Sequence, residues 1–249
     1  MDFINSISLV TGGGSGIGLE LSRQLKALGS TVYICGRRCE TLKTAAEAHG
    51  LHPIAADVTL AGDQERILDE ISSAQGHLDL LVNNAGIFGA YDFAAEEDAV
   101  DRIETEIGIN AIAPLTLARR ALPLLSGSRA PAILFIGSGV AYVPVAGTPV
   151  YSGTKALQHH AAMALRYQLA PKGIAVYEAL PPVVDTDMGR VMKSKNLKVM
   201  QPQDLVSQIL EGMRRSQSES VIGQSKQLRL MSRLAPALIF REMARTEFL

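Results

Sequence analysis

Tyr151 and Lys155 stand four residues apart. On a helix that spacing puts both on one face, about 40° apart by the 3.6-residue period. Thr148-Pro149, just ahead of them, reads as an N-cap followed by proline at the first helical position, which places Tyr151 in the first turn. The helix dipole there favours a phenolate, and a neighbouring ammonium favours it further. A unit charge at about 4 Å is worth up to ~4 kcal/mol at an effective dielectric near 20, against ~1.4 kcal/mol for one pKa unit. A phenol of ordinary pKa near 10 is thereby drawn toward working pH, where it can exchange a proton with a carbonyl or alcohol oxygen. The same spacing marks many ordinary helix surfaces, so the pair alone does not define a reaction.

A second set suits phosphate. Thr11-Gly12-Gly13-Gly14-Ser15-Gly16-Ile17-Gly18 follows an apolar run and opens a helical one, the context in which a glycine loop can admit a pyrophosphate to a helix N-terminus. Gly12, Ser15, Gly16, Ile17 and Gly18 are the candidate contacts. Their spacing differs from the common dinucleotide fingerprint, whose second gap is longer, so a glycine-rich turn serving helix packing fits equally. The next apolar run ends Cys35-Gly36-Arg37-Arg38, where an NAD-binding fold usually offers an acid to the ribose hydroxyls. Gly36 cannot do so, and the guanidinium of Arg37, beside Arg38, suits a 2′-phosphate. If a dinucleotide binds, NADP is expected over NAD.

Other chemistries lack residues. No His, Cys or carboxylate set has metal-ligand spacing in the chain, and adjacent His159 and His160 face different directions on a helix, so no metal is expected. Ser138 has no well-placed histidine for hydrolase work. Cys35 and Cys39 suggest neither a disulfide framework nor a redox pair, and read as reduced thiols in a cytoplasmic protein.

The elements that must position these groups alternate. Strands are expected at Ile7 to Val10, Thr31 to Cys35, His52 to Ala56, Leu78 to Val82, Ala132 to Ile136 and Ile174 to Ala179. Helices are expected at Ile17 to Leu28, Thr41 to Ala48, Asp63 to Ser73, Glu96 to Leu125 and Pro149 to Ala170. This βαβα order predicts an α/β fold, a single-domain Rossmann-type doubly wound parallel sheet with helices on both faces. Binding is expected at the carboxyl ends of its strands. Composition agrees: 249 residues carry 24 Lys and Arg against 25 Asp and Glu, with no Trp. That balance argues against nucleic acid as a partner. No apolar run approaches the ~20 residues of a membrane span, and Met1-Asp2-Phe3 does not open a secretory signal.

Seven motifs in order, Thr11 to Gly18, Asp57-Val58, Asn83-Asn84-Ala85-Gly86, Asn110, Ser138, Tyr151 with Lys155, and Pro181 through Met188, resemble those of the short-chain dehydrogenase/reductase family in its compact form of about 250 residues. Within the family, Ile34 to Arg38, Pro181 to Thr186 and the C-terminus resemble a bacterial subgroup that includes the oxidoreductase encoded with teichoic-acid D-alanylation genes. The resemblance implies that Tyr151 is the general acid in reduction and the base in oxidation, and that Ser138 hydrogen-bonds the substrate oxygen. Lys155 would hold the nicotinamide ribose and lower the Tyr151 pKa, and Asn110 would anchor a water in the proton relay. Pro114 gives an independent reason for the last role, since it has no N–H to offer the Asn110 carbonyl. The resemblance also implies cofactor contacts at Asp57, Val58, Asn84, Ala85, Gly86, Val184 and Thr186, and substrate contacts at Val140 and Met188. Pro182 departs from the family's usual glycine.

The expected reaction is hydride transfer between NADP, with NAD as the alternative cofactor, and a small-molecule carbonyl or secondary alcohol. An NAD-linked alcohol dehydrogenase and a non-catalytic dinucleotide-binding regulator are the competing readings. A substrate lid is expected over about 187–200, and a basic helical extension over about 224–249, with Leu228 to Phe248 as one helix. The extension is expected to cover the pocket or a subunit interface, in a homodimer or homotetramer, with membrane-surface contact as the sharper alternative.

Overall fold

The computed structural model describes residues 1–95, 97–191 and 198–246. Its strands are β1 (Ile7–Thr11), β2 (Thr31–Gly36), β3 (His52–Ala55), β4 (Leu80–Asn83), β5 (Ala132–Ile136), β6 (Ala175–Leu180) and β7 (Glu219–Val221). All neighbours pair in parallel, in the order β3-β2-β1-β4-β5-β6-β7. Both faces of the inner strands are buried, which explains why β1, β4 and β5 are nearly continuous apolar runs rather than alternating ones.

The helices are α1 (Gly16–Ala27), α2 (Cys39–His49), α3 (Ala61–Gln75), α4 (Ala99–Ile107), α5 (Ala113–Leu125), α6 (Pro149–Leu169), α7 (Asp187–Val191), α8 (Pro202–Arg214), α9 (Ser225–Leu234) and α10 (Pro236–Ala244). One core joins Val10, Ile34, Leu134 and Ile136 to Leu21 and Leu25 of α1, Leu42 of α2 and Leu205 and Ile209 of α8. The opposite core joins Leu9, Ile133 and Phe135 to Ile67 and Ile71 of α3, Leu117 and Ala121 of α5 and Ala162 of α6. Successive strand residues therefore serve opposite layers, as the pleat requires.

Three elements differ from expectation. The helix expected from Glu96 to Leu125 is α4 and α5 joined by a π-helical turn over Gly108–Ile112, in which the Ala113 N–H donates to the Gly108 carbonyl. Pro114, without an N–H, cannot close the ordinary bond to the Asn110 carbonyl, and the wider turn falls at that point. The single helix expected from Leu228 to Phe248 is broken at Ala235, which lies at φ −147° ahead of Pro236, because proline disfavours the α region in the residue before it. Helix α8 was not expected, although Leu205, Val206, Ile209, Leu210 and Met213 repeat at helical spacing behind Pro202 at its start. Of the expected lid, α7 and Lys198–Met200 are described. Met200 returns to bridge Val184, and 192–197, with Lys193 and Lys195, lie outside the described residues.

Candidate active site

The strand order reverses between β1 and β4, and the carboxyl ends of the strands there open into one cavity of about 400 Å³. The loop from β1 to α1 forms one end. Gly12 and Gly16 hold φ of +64° and +54°, a region that favours glycine, and a Cβ on Gly18 would collide with the Gly12 carbonyl and the Asn84 side chain. Asn84 donates to the carbonyls of Thr11 (2.9 Å) and Gly12 (3.4 Å). The Thr11 hydroxyl accepts from the amides of Asn84 and Ala85, both at 3.0 Å. Asn84 and Ala85 thus tie the end of β4 to the glycine loop. Thr186 packs against Gly16 from across the cavity, its hydroxyl held by the Gly189 amide at 3.0 Å. A cradle this bare of side chains fits a pyrophosphate.

Beyond β2, Arg37 approaches Asp57 at 4.0 Å and its side chain is 60% exposed. Arg38 reaches the Ser15 hydroxyl at 3.1 Å. Asp57 accepts from the Thr59 amide (2.9 Å) and hydroxyl (2.7 Å). Arg37, Arg38, Asp57, Val58, Ala85, Gly86 and Val184 all line the cavity, as do Gly12, Ser15, Gly16 and Ile17.

Tyr151 and Lys155 lie on α6, buried, and both line the cavity. Thr148 is the N-cap residue with Pro149 at the first position, but its hydroxyl turns to Ser152 (3.2 Å) rather than to a helix amide. Phe88 sets its ring edge to Tyr151 with centroids 5.1 Å apart. The Lys155 ammonium lies 5.8 Å from the Tyr151 ring centre. It donates to the Ile136 carbonyl at 2.8 Å and to Gln158 Oε1 at 3.2 Å. Burial pushes the Tyr151 phenol up to about 12, opposed by the Ser138 hydroxyl and reinforced by the charge of Glu106. The helix dipole and the Lys155 ammonium would draw the phenol the opposite way, as expected from the sequence, and desolvation outweighs them here. Burial also depresses Lys155 to about 8, with Glu178 and then Glu106 opposing it.

Asn110 sits in the π turn. Its side chain clamps the backbone of Ile87, accepting from the amide at 2.8 Å and donating to the carbonyl at 2.9 Å. Gly86 leaves room for it, since a Cβ there would lie 3.1 Å from Asn110 Oδ1. Ser138, Val140 and Met188 line the same end of the cavity, with Val145, Leu228 and Met243. Ser138, Tyr151 and Lys155 thus share the cavity lining, while Asn110 lies behind it and reaches it through the backbone of Ile87. Sequence reasoning missed Gln158 and Glu106. Gln158 was legible, three residues after Lys155 on the same helix, whereas Glu106 reaches the site only through the packing of α4 on α6.

The chain belongs to the short-chain dehydrogenase family, whose model, described as short chain dehydrogenase, matches residues 6–197. It is therefore an oxidoreductase of the hydride-transfer type that works on a dinucleotide cofactor. An uncharacterized oxidoreductase of Bacillus subtilis, DltE, is 33% identical over 249 residues, covering 98% of both chains. Among solved structures, a short-chain dehydrogenase from Burkholderia cenocepacia in complex with NADP superposes with a TM-score of 0.86 at 22% identity, covering 98% of this chain and 99% of that one. A 3-ketoacyl-(acyl-carrier-protein) reductase from Brucella melitensis complexed with NADH gives 0.78 at 24% identity, covering 87% and 93%.

Proposed function

We propose that this enzyme is an NADPH-preferring reductase of neutral, apolar ketones or aldehydes, with Tyr151 as the proton donor. The observation that carries the reading is the placement of Tyr151, buried in the cavity wall with Ser138 and Lys155. Its protonated phenol is the form that donates to a developing alkoxide, and reduction is the direction that NADPH as cofactor favours. Bound in the cleft, the cofactor supplies hydride from its nicotinamide C4. Ser138 hydrogen-bonds the substrate oxygen and fixes it toward Tyr151. Lys155, anchored on the Ile136 carbonyl, presents its charge to the ribose and favours the phenolate left behind. Asn110 fixes the strand-end loop through Ile87, and its carbonyl, which Pro114 cannot partner, is the acceptor for a relay water.

Arg37 and Arg38 support the preference for a 2′-phosphate, and Asp57 with Val58 would contact the adenine. Gly12 and Ser15 to Gly18 would hold the pyrophosphate, with Asn84, Ala85 and Gly86 along the adenine ribose side. Val184 and Thr186 would hold the carboxamide. The substrate class follows from Phe88, Val140, Val145, Met188, Leu228 and Met243, an apolar lining in which an unpaired charge would be costly to desolvate. Self-association as a dimer or tetramer is supported by exposed Ile107, Ile112 and Leu157 at or beside the packed α4 and α6.

Tyr151→Phe tests the mechanism. It should lower kcat/KM for a ketone by about 10²- to 10⁴-fold while NADPH still binds, read by turnover and by cofactor fluorescence. A variant that keeps full turnover removes Tyr151 from the mechanism.

A further inference from the structure

Behind Lys155 lies a buried charge cluster that the reaction as described leaves unused. His159 follows Lys155 by four residues on α6, so the two share a face. Its Nδ1 meets Glu178 Oε2 at 2.7 Å, with both side chains buried. Glu178 belongs to β6, in register with Phe135 of β5, one residue before Ile136, whose carbonyl holds Lys155. The other carboxylate oxygen, Oε1, is buried and has no hydrogen-bond partner among the described residues. It lies beside Gly137, where a Cβ would come within 2.9 Å of it, so the bare glycine just past the Lys155 anchor leaves room for the carboxylate. A carboxylate taken out of water and given one hydrogen bond is expensive, and a nearby buried cation offsets that cost.

The cluster continues outward. Glu219 of β7 pairs with Arg229 of α9 at 3.3 Å and with Arg166 of α6 at 3.6 Å. One ligand atom each from His159, Glu178 and Glu219 lie within 4.8 Å of one another. The two guanidiniums already neutralise Glu219, which argues for a proton-and-charge network rather than a cation site. Besides Glu178, the groups facing His159 are Glu219, Arg166, and the rings of Tyr142 and His160. Lys155 contacts the Ile136 carbonyl, Gln158 and the Tyr151 ring, while Glu178 and Glu106 act on it as charges beyond ion-pair distance.

We propose that Glu178, held by His159, is a positioning residue for hydride transfer: its carboxylate is the buried counter-charge against which the Lys155 ammonium is kept in place beneath Tyr151. The inference rests on the role given to Lys155 above. Burial alone drives the lysine toward its neutral form, and a neutral amine neither holds the ribose by charge nor favours the phenolate. Removing the carboxylate charge should therefore make Lys155 lose its proton at lower pH. His159 fixes the carboxylate by donating to it, so a glutamine, which can also donate, should substitute where leucine cannot.

The test is an NMR titration of the lysine side chains in the full-length protein, with Lys155 identified by the signal missing in Lys155→Met. In Glu178→Gln the Lys155 midpoint should fall by about 1 pH unit or more. His159→Leu should lower it similarly, and His159→Gln should restore it. The alkaline limb of kcat/KM should move with the midpoint. An unchanged midpoint in Glu178→Gln overturns the proposal. Should that variant not fold, equal midpoints in His159→Leu and His159→Gln overturn it instead. The titration needs no turnover, so a protein inactive on every ketone would refute the proposed function while the titration still decides this inference.

Discussion

Arg37 illustrates how much one side chain can set. It follows Gly36, which stands at the strand end where NAD-binding folds usually offer an acid, and its guanidinium stands exposed at 4.0 Å from Asp57. Arg37→Asp should weaken NADP binding by about 10- to 100-fold, the scale of one charge-assisted hydrogen-bond set, and improve NAD. Titrating both cofactors checks this; an unaltered preference removes Arg37 from the cofactor argument. His159 gives a prediction in pH. Its hydrogen bond to Glu178 raises its pKa above the ordinary histidine value. A group raised on folding stabilises fully below its unfolded pKa, and that contribution fades as pH rises through the folded value. The Tm advantage of the wild type over His159→Leu should therefore be larger at about pH 5.5 than at pH 9. Thermal melts across that range check it, and an advantage that grows with pH contradicts it.

At the scale of elements, the β1 to α1 loop is limited by backbone contact rather than by side chains. Gly18→Ala sets a methyl against the Gly12 carbonyl, and since backbone must move to admit it, the cost should be about 1–3 kcal/mol with weaker cofactor binding. Chemical denaturation with and without NADPH reads both effects. The C-terminal pair α9 and α10 contributes Leu228 and Met243 to the cavity lining. Leu228→Arg should raise KM for apolar ketones more than it changes NADPH binding, because the cation is stranded in an apolar wall. Equal loss of both would point instead to a general collapse of the site. These elements differ in legibility. The glycine loop and α6 announce themselves through Gly spacing and a Thr-Pro start. The break at Ala235 was equally local, written in Pro236, but the apolar repeat around it obscured it. The π turn at Gly108–Ile112 was foreshadowed by Pro114, while its geometry depends on Asn110 finding the Ile87 backbone across the site.

Over the whole molecule, a near-neutral charge balance conceals local pairing. Arg229 of α9 reaches Glu219 of β7, Arg166 of α6 reaches the same carboxylate, and Glu178 and His159 lie inside that ring. Among the described residues no helix is long and apolar enough to cross a membrane. The sequence by itself determined the parallel α/β sheet, the glycine cradle, the basic end of β2 and the Tyr151–Lys155 pair. These are signals carried within a few residues by backbone restriction and by the 3.6- and 2-residue periods. Tertiary structure alone decided the burial of that pair, which pushes the phenol up and the lysine down. Burial reversed the direction expected for Tyr151, and the parallel register of β5, β6 and β7 brought Glu178 and Glu219 to His159 from chain positions 19 and 60 residues away. Desolvation and long-range pairing depend on what surrounds a group, and a linear spacing contains neither.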